Sequence, residues 1–217
     1  MTDRTGLVLF GDVADSRVDA RRASAWLRTL TLELDRHYGP QRLARFGFTQ
    51  GDEIQGLLRR DADPTAAVLR AALHPHAMAM RWVVVAGPVE PGRGPATQRT
   101  GRAFLEAREL VGRARRQREA LLVRTGEPAS DSLLDDVAPT LAVLLADLTP
   151  RQRTVARLLL VDGLRQADAA KRLEVSRPTI SVAAERAGVR EIGRLAHAVA
   201  TLVGQGVANP AAAGNGR

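Results

Sequence analysis

The chain contains no cysteine. That excludes disulfides and thiolate metal ligands, and it fits a reducing cytosol. Aromatic residues make up only 3%, so a core must be built from Leu, Val and Ala. Lys171 is the sole lysine; the arginine bias reads as base composition of the gene rather than as chemistry. Long apolar runs are also missing. Nothing approaches membrane-spanning length, and "MTDRTGLVLFGD" has no extended apolar region after a basic start. The expectation is a cytoplasmic protein with no membrane partner.

What is present suffices for one large or two small domains: 217 residues, 45% hydrophobic and 26% charged. The net charge of +8 is unevenly spread. Residues 148–217 hold 11 Arg and Lys against 5 Asp and Glu, whereas residues 1–147 hold 21 against 19. The basic C-terminal part is the candidate for nucleic acid.

The spacing predicts a strand over 6–11, then a helix from Ala20 to Tyr38, with Ala23, Trp26, Leu27, Leu30 and Leu34 on one face. Gly39-Pro40 stops it. Leu43–Thr49 and Ile54–Leu58 read as a hairpin. A short helix through Leu73, a strand over Met80–Glu90 and a helix from Arg102 to Val123 complete a β-α-ββ-α-β-α order. Residues 125–136, "TGEPASDSLLDD", read as the approach to a linker, followed by a connecting helix to residue 147. Residues 148–203 read as helical and basic, and 204–217 as a disordered tail. The fold class expected is α+β: a ferredoxin-like, palm-type antiparallel sheet over residues 1–124, followed by an all-α helix-turn-helix domain.

Two apolar runs end in acids: "VLFGDVADSR" and "FTQGDEIQGLL". On neighbouring strands, Asp12 and Asp52 would sit side by side. Like charges so close need a proton, an arginine or a cation between them. Mg²⁺ is held by one or two carboxylates with phosphates and water, so the pair suits a metal with a nucleotide. Asp and Gly are also ordinary turn residues, and Asp15-Ser16 equally suits a helix cap. Arg17, Arg45 and Arg108 are candidate phosphate partners.

"GDVADSR", "GDEIQGLL" and "TGRAFLEAREL", in that order, resemble the SatD family of bacterial proteins over about residues 6–115. Ile54 stands where that family usually has Phe. More distantly, "LVLFGDV", "FTQGDE" and "MRWVVVAGPV" resemble class III nucleotidyl cyclases, and the Gly-Asp-Glu resembles the diguanylate cyclase hairpin. That resemblance implies Asp12, Asp52 and Glu53 as ligands of Mg²⁺ or Mn²⁺. It also implies a nucleotide ligand near Asp15, Ser16, Arg17, Gln55 and Arg108, and a dimer. The cyclase Asn is absent from "GRAFLEAREL", where Phe104 or Leu105 stands, and the base-selecting Lys before the hairpin is absent too. Transition-state donors are a large part of catalysis, so the expectation leans to a sensing or dimerisation domain, with a metal-dependent nucleotide enzyme as the alternative.

"LTPRQRTVARLLLVDGLRQADAAKRLEVSRPTISVAAERAG" is the strongest signal. Thr149-Pro150 starts one helix and Ser176 caps another. Small Ala169 and Ala170 suit two helices crossing closely. The stretch resembles the helix-turn-helix of sigma-factor region four over residues 148–197. Glu174 falls where the turn often has a left-handed Gly. The resemblance makes Arg177 and Ser181 base readers and Thr179 a phosphate contact, with Val182, Glu185 and Arg186 also facing outward. Gln166, Lys171, Arg172, Arg186 and Arg190 are further phosphate candidates. The expected function is a DNA-binding transcriptional regulator, a homodimer on double-stranded DNA.

Other motifs carry less. His74-Pro75-His76 lacks further metal ligands. "PGRGP" lacks the strand and Lys-Ser of a phosphate loop. "RARRQRE", Arg113–Glu119, reads as a solvated helix face.

Overall fold

The computed structural model describes residues 4–14, 19–49 and 52–208. Five strands form one sheet in the order β2-β3-β1-β4-β5. They are β1 (Arg4–Val13), β2 (Arg42–Phe48), β3 (Glu53–Arg59), β4 (Met80–Val89) and β5 (Leu121–Arg124). The first four are antiparallel; β5 runs parallel to β4. The central strand β1 is apolar on both faces because both are covered. Leu7, Leu9 and Val13 enter one cluster, Val8 and Phe10 the other.

Helix α1 (Ala20–Tyr38) begins at Asp19, whose carboxylate accepts from the Arg22 N–H at 3.0 Å. It ends at Gly39, φ +46°, as the Gly-Pro predicted. Tyr38 locks that end in place: its hydroxyl donates to the Asp63 carbonyl at 2.7 Å and accepts from the Ala67 N–H at 3.1 Å. Helix α2 (Thr65–Ala72) lies beside α1, and α3 (Arg102–Gln117) covers the opposite face of the sheet. The mixed α+β class and the order β-α-ββ-α-β-α are as expected from sequence.

Three boundaries differ. The helix expected through Val123 stops at Gln117, where Arg118 turns left-handed at φ 58°. The apolar Leu121, Leu122 and Val123 belong instead to β5, too short for a period to reveal. "TGEPASDSLLDD" is mostly helix: α4 runs Pro128–Ala146, with the Glu127 carboxylate accepting from the Ala129 and Ser130 N–H groups. Its Pro, Ser and Asp residues are helix-start chemistry rather than linker composition. The last helix, α8 (Val189–Ala208), continues five residues beyond Val203; residues 209–217 lie outside the described ones.

Between α4 and α8 come α5 (Pro150–Ala156), a π-helical turn (Arg157–Val161), α6 (Gln166–Arg172) and α7 (Arg177–Arg186). α8 packs along α4 and touches α2 and β4. The apolar cluster therefore runs unbroken from Leu7 and Trp82 in the sheet to Val155, Ala170, Ile180 and Val203 in the helices. Among the described residues, no helix is long and apolar enough to cross a membrane.

Candidate functional site

Asp12 stands opposite Glu53 on β3 and Arg81 on β4. Directly opposed residues share a face, here the one under α3. Gly11 precedes Asp12 for a packing reason: a Cβ there would lie 2.7 Å from Ile54 and from Met80. The Val13 N–H donates to the Asp52 carbonyl at 2.9 Å, tying the hairpin tip to the end of β1. The two acidic tips meet.

What joins them is an arginine. Asp12 is only 2% exposed. Arg115 of α3 donates Nε to its Oδ2 at 3.0 Å and Nη2 to its Oδ1 at 2.5 Å. Arg81 adds Nη1 to Oδ2 at 3.3 Å. A forked guanidinium on a carboxylate is among the strongest polar contacts in proteins. The Arg115 pKa is raised by its hydrogen bond to Asp12, against burial, with the charges of Asp12, Asp52 and Glu53 adding. One guanidinium thus pairs with Asp12 and also feels the charges of Asp52 and Glu53.

This arrangement does not fit a bound Mg²⁺ or Mn²⁺. Both Asp12 oxygens already accept from arginine, and no three His, Cys, Asp or Glu among the described residues are grouped to hold a metal. A cation on Asp12 has to displace Arg115.

Glu53 accepts from the Gln55 Nε2 at 2.6 Å. Gln55 is buried, and its Oε1 has no hydrogen-bond partner among the described residues. Arg108 lies exposed on α3, seven residues before Arg115 and so about 10 Å away along the axis. Arg45 is exposed on the edge strand β2. Asp15, Ser16 and Arg17 lie outside the described residues.

Arg115 and Arg81 were not among the residues singled out from sequence. The signal for Arg115 was faint but present. It sits four residues after Val111, hence beside the apolar stripe of Phe104, Ala107, Val111 and Ala114 that faces the sheet. Its side chain is half exposed, yet its guanidinium is committed to Asp12.

The second candidate surface is on α5–α7. Thr149 and Gln152 form a reciprocal capping box at the start of α5. Ala169 and Ala170 are buried where α6 meets α7, and Glu174 takes φ +54° in the turn between them. The Ser176 hydroxyl accepts from the Thr179 N–H at 3.3 Å and so caps α7. Arg177, Ser181, Val182, Glu185 and Arg186 are all exposed on α7, and Arg172 and Lys171 are exposed on α6. Arg177, Ser181 and Glu185 recur every four residues, along one stripe. Gln166 and Thr179 are half-buried, and the Thr179 hydroxyl lies 2.8 Å from that of Ser176. Arg190 begins α8's exposed side, 3.1 Å from Glu191.

The sequence matches no family model and no curated protein. Among solved structures the chain is similar to two of a bacterial light-regulated adenylyl cyclase, each at 14% identity. The matches cover 56% of this chain and 43% of each of those chains, with TM-scores of 0.41 and 0.38. The chain therefore spans less than half the length of either. A likeness at this level says nothing of activity.

Proposed function

We propose that the protein is a DNA-binding transcriptional regulator, working in the cytoplasm as a homodimer. Its α7 is the helix that enters the major groove, and its palm-like sheet serves sensing or dimerisation. The observation that carries this reading is the α7 surface. A capped helix, seated on buried Ala169 and Ala170 through a sharp left-handed turn, presents Arg177 and Ser181 outward near its N-terminal end. Arginine pairs bidentately with guanine, and the first residues of such a helix reach base edges. Lys171, Arg172 and Arg186, exposed around them, supply phosphate contacts.

The enzymatic alternative is a metal-dependent, cyclase-like nucleotide enzyme. What favours it is the convergence of Asp12, Asp52 and Glu53 around Arg115. Against it, the carboxylate needed for a cation is already committed to arginine, so this reading ranks second.

Salt dependence tests the main reading. Binding of the full chain to mixed-sequence duplex DNA should weaken steeply with salt. Replacing Arg172 by Ala should flatten that slope by about one phosphate contact. Affinity that ignores salt, or a slope unmoved by Arg172→Ala, would count against it.

A further inference from the structure

A recess of about 480 Å³ opens where α1, α2 and the π-helical turn meet. Leu32, Glu33, Arg36, His37, Arg70 and Arg157 line it. None of them belongs to the acidic strand tips or to the α7 surface. Three arginines line the recess, and two of them, Arg70 and Arg157, share the Glu33 carboxylate. Glu33 Oε1 accepts from Arg70 Nη1 at 3.0 Å and from Arg157 Nη2 at 2.8 Å. Asp162 reaches Arg157 only at 3.9 Å. The recess therefore keeps an excess of positive charge after its internal pairing.

Its donors are also incompletely used. Arg157 Nη1 is buried and has no hydrogen-bond partner among the described residues. A buried guanidinium N–H left unpaired is costly. Arg70 Nη2 lies 2.9 Å from His37 Nδ1. Arginine can only donate, so Nδ1 accepts and the ring's proton is on Nε2. Burial and the charge of Arg70 lower the His37 pKa, which favours the neutral ring. Arg36 is exposed at the rim, beside Leu32, an apolar side chain 66% exposed.

The backbone adds an independent sign. Arg157 opens the π-helical turn Arg157–Val161. Such turns are rare and often found at functional sites.

We propose that this recess binds the phosphate of a small phosphorylated molecule, held by Arg36, the guanidinium of Arg157 and the Nε2–H of His37, with Leu32 against its apolar part. Planar guanidinium groups match phosphate oxygens in pairs. The occupant would sit on the Glu33–Arg157 contact, which joins α1 to the chain leading into α6 and α7. An effect on DNA affinity follows only if the regulator reading holds; phosphate binding itself does not depend on it.

The test uses the full chain with inorganic pyrophosphate as probe, in isothermal titration calorimetry at low salt. Saturable binding is expected. Arg36→Ala and His37→Ala should each weaken it, Arg36→Ala by about tenfold, while Arg93→Ala, in an exposed loop, should leave it unchanged. Both test residues are exposed, so the fold should survive, which circular dichroism checks. Absence of saturation, binding untouched by Arg36→Ala, or equal loss in Arg93→Ala overturns the proposal. A parallel titration with mixed-sequence duplex DNA separates the other source of phosphate. If Arg36→Ala weakens only DNA binding and pyrophosphate does not saturate, the recess serves the DNA backbone, and the small-molecule proposal falls.

Discussion

Arg115, near the end of α3, grips both carboxylate oxygens of Asp12, 103 residues earlier at the end of β1. The contact closes the strand tip with the chain's own cation. It also supplies a positive charge of the kind that acids at two adjoining tips require.

The first prediction follows from that contact. Replacing Arg115 by Ala leaves a buried carboxylate with Arg81 as its remaining arginine partner among the described residues. Stability should drop by about 1–2 kcal/mol, the modest figure reflecting that Arg81 remains and Arg115 is half exposed. Mn²⁺ affinity should rise in Arg115→Ala relative to the native chain, and fall again when Asp12→Asn is added. Electron paramagnetic resonance of free Mn²⁺ reads this directly. Equal Mn²⁺ binding in all three proteins would show that Arg115 is no barrier.

A second prediction concerns acid. Burial alone would raise the Glu33 carboxyl, but hydrogen bonds and charges from Arg157 and Arg70 outweigh it and hold it below 4.5. A depressed folded pKa contributes stability above the unfolded value, which is lost as pH falls through the folded one. The native chain should therefore weaken below about pH 4.5. Glu33→Gln should cost about 2–3 kcal/mol at pH 7, because two largely buried guanidinium groups lose their anion, and it should lose less on acidification. Urea melts across pH 3–7 (roughly the carboxylate range) check both. Parallel pH curves for the two proteins would contradict the account.

The turn between α6 and α7 gives a third. Glu174 holds φ +54°, a conformation that costs a side chain about 1 kcal/mol. Glu174→Gly should raise the melting temperature, and DNA affinity should be unchanged or slightly better. A lower melting temperature would mean that the Glu174 side chain contributes more than its backbone costs.

Helix capping supplies a fourth. Ser176→Ala removes the acceptor for the Thr179 N–H and should destabilise the chain by about 1 kcal/mol. Since Arg177 follows immediately, DNA binding should weaken as well; Ser176→Asp, which restores a cap, should recover the stability. Failure of Ser176→Asp to recover it would place the loss elsewhere than the cap.

Most elements were readable because their signals are local. The Ala20–Tyr38 span of α1 with its Gly-Pro stop, the β2–β3 pairing, the Thr149 cap and the Ser176 cap each follow from residues a few positions apart. β5 was not, since three apolar residues after an Arg-rich helix carry no period and Arg118 takes a left-handed turn without being Gly. In the site, the meeting of Asp12 with the Gly-Asp-Glu hairpin was legible from two matching motifs. Arg115 was not, because its partner is distant in sequence and its neighbours Arg113 and Arg116 make it look like one of a solvated run. The Glu33 junction was hidden for the same reason: Glu33, Arg70 and Arg157 lie on three separate elements.

The most direct test of the central claim is capture of sheared genomic DNA by the purified chain, followed by sequencing, beside the double variant Arg177→Ala, Ser181→Ala. Discrete sites enriched by the native chain and lost in the variant are the result predicted here, since both residues face outward at the start of α7. No enrichment, or the same diffuse enrichment from both proteins, would contradict sequence-specific DNA binding through α7.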